Sequence, residues 1–120
     1  MATITNQAAL SYNGVTTLSN IAVGELVEVL TATKTAADTT YTAGGVKTFV
    51  ISLVNSSAAA LTGLTVTDTL GSYTFSGNTL YPLTYVTGSL LYYVNGALQA
   101  TPTVTATAPL TVTGVTVPAG

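Results

Sequence analysis

Val46-Lys47-Thr48-Phe49-Val50-Ile51-Ser52-Leu53-Val54 decides the fold. Its side chains alternate with a period of two, so Val46, Thr48, Val50, Ser52 and Val54 share one face of a strand, and the segment reads as a central strand. Downstream, Leu64-Thr65-Val66-Thr67-Asp68-Thr69-Leu70 alternates in the same way and places Leu64, Val66, Asp68 and Leu70 on one side. Leu90–Val94 and Ala97–Ala100 flank Asn95-Gly96, the pair that a tight type I′ hairpin requires. Val104–Thr107 and Leu110–Val117 follow, separated by Ala108-Pro109. Upstream lies an extended segment over Ile21–Lys34, with Gly24 as a candidate bulge. Before it, Ile4–Tyr12 is a strand that ends at a second turn pair, Asn13-Gly14. Turn signals recur at the spacing of a β-sandwich rather than of βαβ units. Only Ala58-Ala59-Ala60 favours helix locally, and it is too short to form one.

Composition agrees. Of 120 residues, 26 are threonine and seven tyrosine, side chains that suit a pleated, half-buried surface. The length fits one domain. Six residues carry charge: Glu25, Glu28, Lys34, Asp38, Lys47 and Asp68. A dispersed monomer usually keeps roughly 25–35% of its surface charged, so a chain with 5% charged residues and a net charge of −2 presents a surface that desolvates cheaply against another protein. With two basic residues and no histidine, the chain has no basic footprint for nucleic acid. Cysteine is absent, which removes disulfides and thiolate metal sites. No apolar run approaches the ~20 residues of a membrane span, and Met1-Ala2-Thr3-Ile4-Thr5 shows no signal-peptide pattern.

Catalysis finds no foothold. Histidine and cysteine, the usual bases and nucleophile partners, are missing. Glu25 and Glu28 lie three apart in an extended segment and so face opposite ways. No Gly-x-Ser-x-Gly elbow, EF-hand or phosphate loop occurs. The expectation is therefore no enzyme, no cofactor, no metal and no small-molecule substrate. Asn55-Ser56-Ser57 matches the glycosylation acceptor pattern, which occurs often by chance. Tyr73, Tyr81, Tyr85, Tyr92 and Tyr93 gather in the second half, as cross-strand packing or as a carbohydrate-binding face.

Several of these segments together resemble a known family, the immunoglobulin-like "conserved repeat" domain of unknown function found in bacterial cell-surface and fibre proteins. Leu30–Ala36 (LTATKTA) is similar to its opening strand. Tyr41–Ser56 resembles its second block, with Gly45 where an acidic residue is usual. Leu61–Leu70 (LTGLTVTDTL) resembles its third, and Leu110–Gly120 the strand and turn near its end. The resemblance implies an all-β, immunoglobulin-like Greek-key sandwich. It also implies two more strands after the Pro118-Ala119-Gly120 turn, and Ile4-Thr5-Asn6-Gln7-Ala8-Ala9-Leu10 is similar to the last of them. The fold as encoded is then incomplete, and the N-terminal strand completes it.

Two arrangements follow. The strand fills its own groove, giving a circularly permuted monomer, or it fills the groove of a neighbouring copy and builds a head-to-tail filament. The second is preferred because the surface is nearly uncharged. The expected organisation is a donor strand and hinge over residues 1–20 and a sandwich over residues 21–120. Ile4, Asn6, Ala8, Leu10 and Tyr12 are the inserted side chains, and Asn13–Asn20 is the hinge. The expected partner is further copies of the chain, in an extracellular filament or an appendage of a cell or spore surface. The alternative is a surface adhesion or ligand-binding module. The resemblance extends in part to isopeptide-forming pilin domains, which implies Lys34 as amine, Asn6 as carboxamide and Asp68 as the assisting acid. A plain Lys34–Asp68 ion pair is the reading set against it.

Overall fold

The computed structural model describes residues 3–25 and 27–120. Met1, Ala2 and Leu26, which fall in the expected donor and sandwich segments, lie outside the described residues. Among the described residues every regular element is a strand, as the alternation predicts.

The first strands form an arm. β1 (Thr3–Asn6) pairs antiparallel with β4 (Ala22–Glu25), from Thr3↔Glu25 to Asn6↔Ala22. β2 (Ala9–Tyr12) pairs with β3 (Val15–Leu18), from Ala9↔Leu18 to Tyr12↔Val15. The ladders join into one ribbon. Ser19 N donates to Ala8 O at 2.9 Å, and Ala8 N donates to Ser19 Oγ at 2.9 Å. Gln7 and Ala8 face Ser19, Asn20 and Ile21, so the return strand carries one extra residue, a bulge that increases local twist. At the tip, Asn13 (φ 49°) and Gly14 (φ 78°) adopt the left-handed pair of a type I′ turn. The segment expected as a hinge, Asn13–Asn20, contains a strand. Those residues are the tip and the returning strand, because Val15 and Leu18 stand opposite Tyr12 and Ala9.

The body follows. β5 (Leu30–Ala36) pairs with β6 (Phe49–Asn55) from Leu30↔Asn55 to Ala36↔Phe49. The expected central strand Val46–Val54 thus starts at Phe49 and borders a two-stranded sheet; Val46 is 80% exposed. Its inward face carries Phe49, Ile51, Leu53 and Asn55, while Val50 and Val54 look out. β7 (Leu61–Asp68) pairs with a long strand near the chain end (Leu110–Val117), which pairs in turn with Thr103–Thr107. Two small hairpins lie between. One joins β8 (Tyr73–Phe75) to β9 (Asn78–Leu80) through Ser76-Gly77, and the other joins β10 (Tyr92–Val94) to β11 (Ala97–Gln99) through Asn95-Gly96. The strands Thr103–Thr107 and Leu110–Val117 are therefore β12 and β13.

Among the described residues the strands form one three-stranded sheet, β12-β13-β7, and five two-stranded ones. The buried apolar side chains are Val112, Val115 and Val117, spread along β13, and Leu70 in the turn after β7, near the other end of that ladder. Asn55 is the most deeply buried residue, at 2% exposure. Its Nδ2 donates to Ala59 O (2.8 Å), Pro118 O (3.0 Å) and Val117 O (3.4 Å), and its Oδ1 accepts from Ser57 N (3.0 Å) and Ser57 Oγ (2.7 Å). This carboxamide ties the end of β6 to the end of β13. Tyr92 makes a second tie, joining β10 to β13: its hydroxyl donates to Thr116 O and accepts from Thr116 N.

The molecule is long. Its Cα radius of gyration is 22.3 Å, against roughly 14 Å for a compact chain of this length. Its extents are 76 × 44 × 27 Å.

Candidate functional site

Two features stand out, a cleft in the body and the unburied arm. The cleft runs between β5–β6 and β7. Alternation turns Leu30, Ala32 and Lys34 of β5, with Ile51 and Leu53 of β6, toward Leu64, Val66 and Asp68 of β7. The space is about 470 Å³. β5 and β7 are each end members of their sheets, so each presents a backbone edge with unpaired amides and carbonyls.

One ion pair crosses the cleft. Lys34 Nζ donates to Asp68 Oδ2 at 2.7 Å and sits 4.4 Å from the centre of the Phe49 ring. Asp68 Oδ1 accepts from Leu70 N at 2.9 Å, which fixes the turn where Leu70 takes a left-handed conformation (φ 54°) that branched side chains seldom adopt. Burial pushes the Asp68 carboxyl up, but the Lys34 hydrogen bond, the Leu70 amide and the Lys34 charge outweigh it and hold the group below its ordinary value. Lys34 is 38% exposed. A pair this open contributes at most about 1 kcal/mol, so it aligns the two layers rather than holding them together.

The sequence-derived site residues separate into groups. Lys34 and Asp68 meet as the resemblance implied. Asn6 does not join them: it lies on β1 opposite Ala22, exposed on the arm. The ionised Asp68 is also the opposite of the protonated acid that amide formation calls for. Of the donor residues, Ile4 and Asn6 share one face of β1, Leu10 and Tyr12 share one face of β2, and Ala8 sits at the bulge. Ile4 (77%), Leu10 (72%) and Tyr12 (76%) are exposed. Val15, Leu18 and Val23 were not anticipated. They are equally bare, and the Asn13-Gly14 signal already implied a strand after the turn that would carry them. The glycosylation triplet is explained by structure, since Asn55 is buried and bonded at both ends of its carboxamide. Among the described residues no cluster of acidic, histidine or cysteine side chains could hold a metal ion, and no helix is long and apolar enough to cross a membrane.

Compared with known proteins, the chain matches no family model, no curated protein and no solved structure.

Proposed function

We propose that this protein is a structural subunit with an immunoglobulin-like body, and that it polymerises head to tail into an extracellular filament by donating β-structure from its N-terminal arm to the next copy. One observation carries the reading. The chain exposes 9052 Å², whereas a compact protein of its mass exposes roughly 6,000 Å². The excess, roughly 3,000 Å², is surface that a lone molecule has no reason to build. A filament subunit takes part in two interfaces, and a stable interface buries about 800 Å² or more on each side. Donation and acceptance together account for an excess of this order.

The low charge supports the same reading, because a surface with few ionised groups avoids the largest desolvation cost of a buried contact. The lone arm and the unfilled cleft are complementary in kind, one a set of strands without a sheet, the other a pair of sheet edges without a strand.

The test is removal of the arm. Protein lacking residues 1–25 is expected to remain monomeric and folded at concentrations where the full chain forms filaments visible in negative stain. Filaments of undiminished length from the truncated protein would refute the reading.

A second reading, a surface adhesion module, draws on the small hairpins, where Tyr73, Phe75 and Tyr93 are 54%, 66% and 56% exposed. Exposed aromatic rings suit sugar faces. A glycan array probed with the arm-less monomer separates the two readings: binding favours adhesion, silence favours assembly.

A further inference from the structure

Backbone pairing along the arm runs from Thr3↔Glu25 to the Asn13-Gly14 tip, interrupted only by the Ser19–Ile21 bulge. The expected donor was a single strand, Ile4–Tyr12, yet here that strand already has a partner. A two-stranded hairpin by itself is marginal in water and needs a third strand or a packed face. This ribbon has neither among the described residues. Leu10, Tyr12 and Val15 share one face, while Leu18 stands opposite Ala9 on the other, so both faces carry apolar side chains. Strands that are apolar on both faces belong between layers.

The cleft supplies the layers. Its walls are apolar, with Leu30, Ala32, Leu53, Leu64 and Val66 among them, and its two charges neutralise each other as the Lys34–Asp68 pair. The ribbon carries no charge from Thr3 to Gly24. Joining the two desolvates no unpaired charge, the costly event at a buried contact.

Area separates one strand from two. Ten residues of ribbon span roughly 33 Å by about 10 Å, so its two faces offer roughly 650 Å², near the ~800 Å² per side of a stable interface. A single strand offers about half of that.

We infer that the donated unit is the closed ribbon β1–β4 of a second copy, added along the free edge of β7 beside the cleft, with Leu10, Tyr12 and Val15 on the side that Leu64 and Val66 face. Seated there, it widens the β12-β13-β7 sheet by two strands. The inference rests on the strand-donation reading and deepens it.

A staple tests it, made clean by the absence of native cysteine. Ser11 and Thr16 are directly opposite, with their hydroxyls 2.9 Å apart. Ser11→Cys with Thr16→Cys locks the ribbon shut when oxidised. The same protein, oxidised and reduced, is expected to polymerise equally. Polymer lost on oxidation and restored by reductant means that the strands must separate, which overturns the ribbon donor and leaves strand donation standing. If the unmodified chain stays monomeric, both readings fall.

An independent pair of cross-links locates the seat. Leu10→Cys and Thr17→Cys lie on opposite strands of the ribbon. Mixed with a copy carrying Val66→Cys on the cleft-facing side of β7, the one whose strand lies next to β7 is expected to give a disulfide-linked dimer and the other none. A link from both, or from neither, overturns this seat.

Discussion

Asn55 makes more hydrogen bonds than any other side chain of the body, and it makes them in the least exposed place. Asn55→Ala removes the donor to the Pro118 and Val117 carbonyls and the acceptor for Ser57 N, so unfolding in urea is expected to show a loss of about 1–3 kcal/mol. Asp68 sets a pH dependence. Its carboxyl is held below the ordinary value of 3.8 in the folded chain, so its stabilising effect is complete above that value. It fades as pH falls through the folded-state value. Melting temperature is therefore expected to hold on the neutral side and drop below about pH 4, while Asp68→Asn melts lower at neutral pH and loses that acid step.

Among the elements, the arm is where assembly and folding separate. Val15→Glu lies on the exposed face of the ribbon. It is expected to change unfolding free energy by no more than about 0.5 kcal/mol, yet to abolish filaments, since a carboxylate there would be buried unpaired. Calorimetry and electron microscopy on the same preparation check both halves. Much of this was legible in the sequence. The two Asn-Gly pairs give their hairpins because their left-handed turn chemistry is local; the alternation over Leu64–Leu70 finds most of β7 because one face is half-buried, but the strand starts at Leu61 and ends at Asp68, where Leu70 turns left-handed. Ser76-Gly77 is a weaker turn signal than Asn-Gly, yet serine also takes the left-handed position here (φ 47°). The return strand Val15–Leu18 reads as a hinge because Thr16 and Thr17 dilute its apolar pattern. Which strands would pair, and that the sheets would stay narrow, depends on contacts far apart in sequence, which alternation does not encode. The Lys34–Asp68 contact was legible only through resemblance.

Taken whole, the molecule is elongated, and this can be measured before any filament is seen. Small-angle scattering from a dilute monomer is expected to give a radius of gyration near the 22.3 Å of the structure. A value near the roughly 14 Å of a compact chain would mean that the arm folds back on its own body. Scarce charge makes a second forecast. Polymerisation rates are expected to change little between about 0.05 and 1 M salt, because contacts of this kind have almost nothing for ions to screen.

The burial of Asn55 also bears on how the protein ages. Asparagine followed by serine tends to lose its amide when the next backbone nitrogen attacks the side-chain carbonyl. Here Ser56 N is engaged with Val29 O at 2.7 Å, and the carboxamide is pinned from both ends, so the attacker and its target are both held. Chemical wear should begin instead at the open hairpin tips Asn13-Gly14 and Asn95-Gly96, with peptide mapping of long-stored protein finding aspartate there while position 55 stays intact.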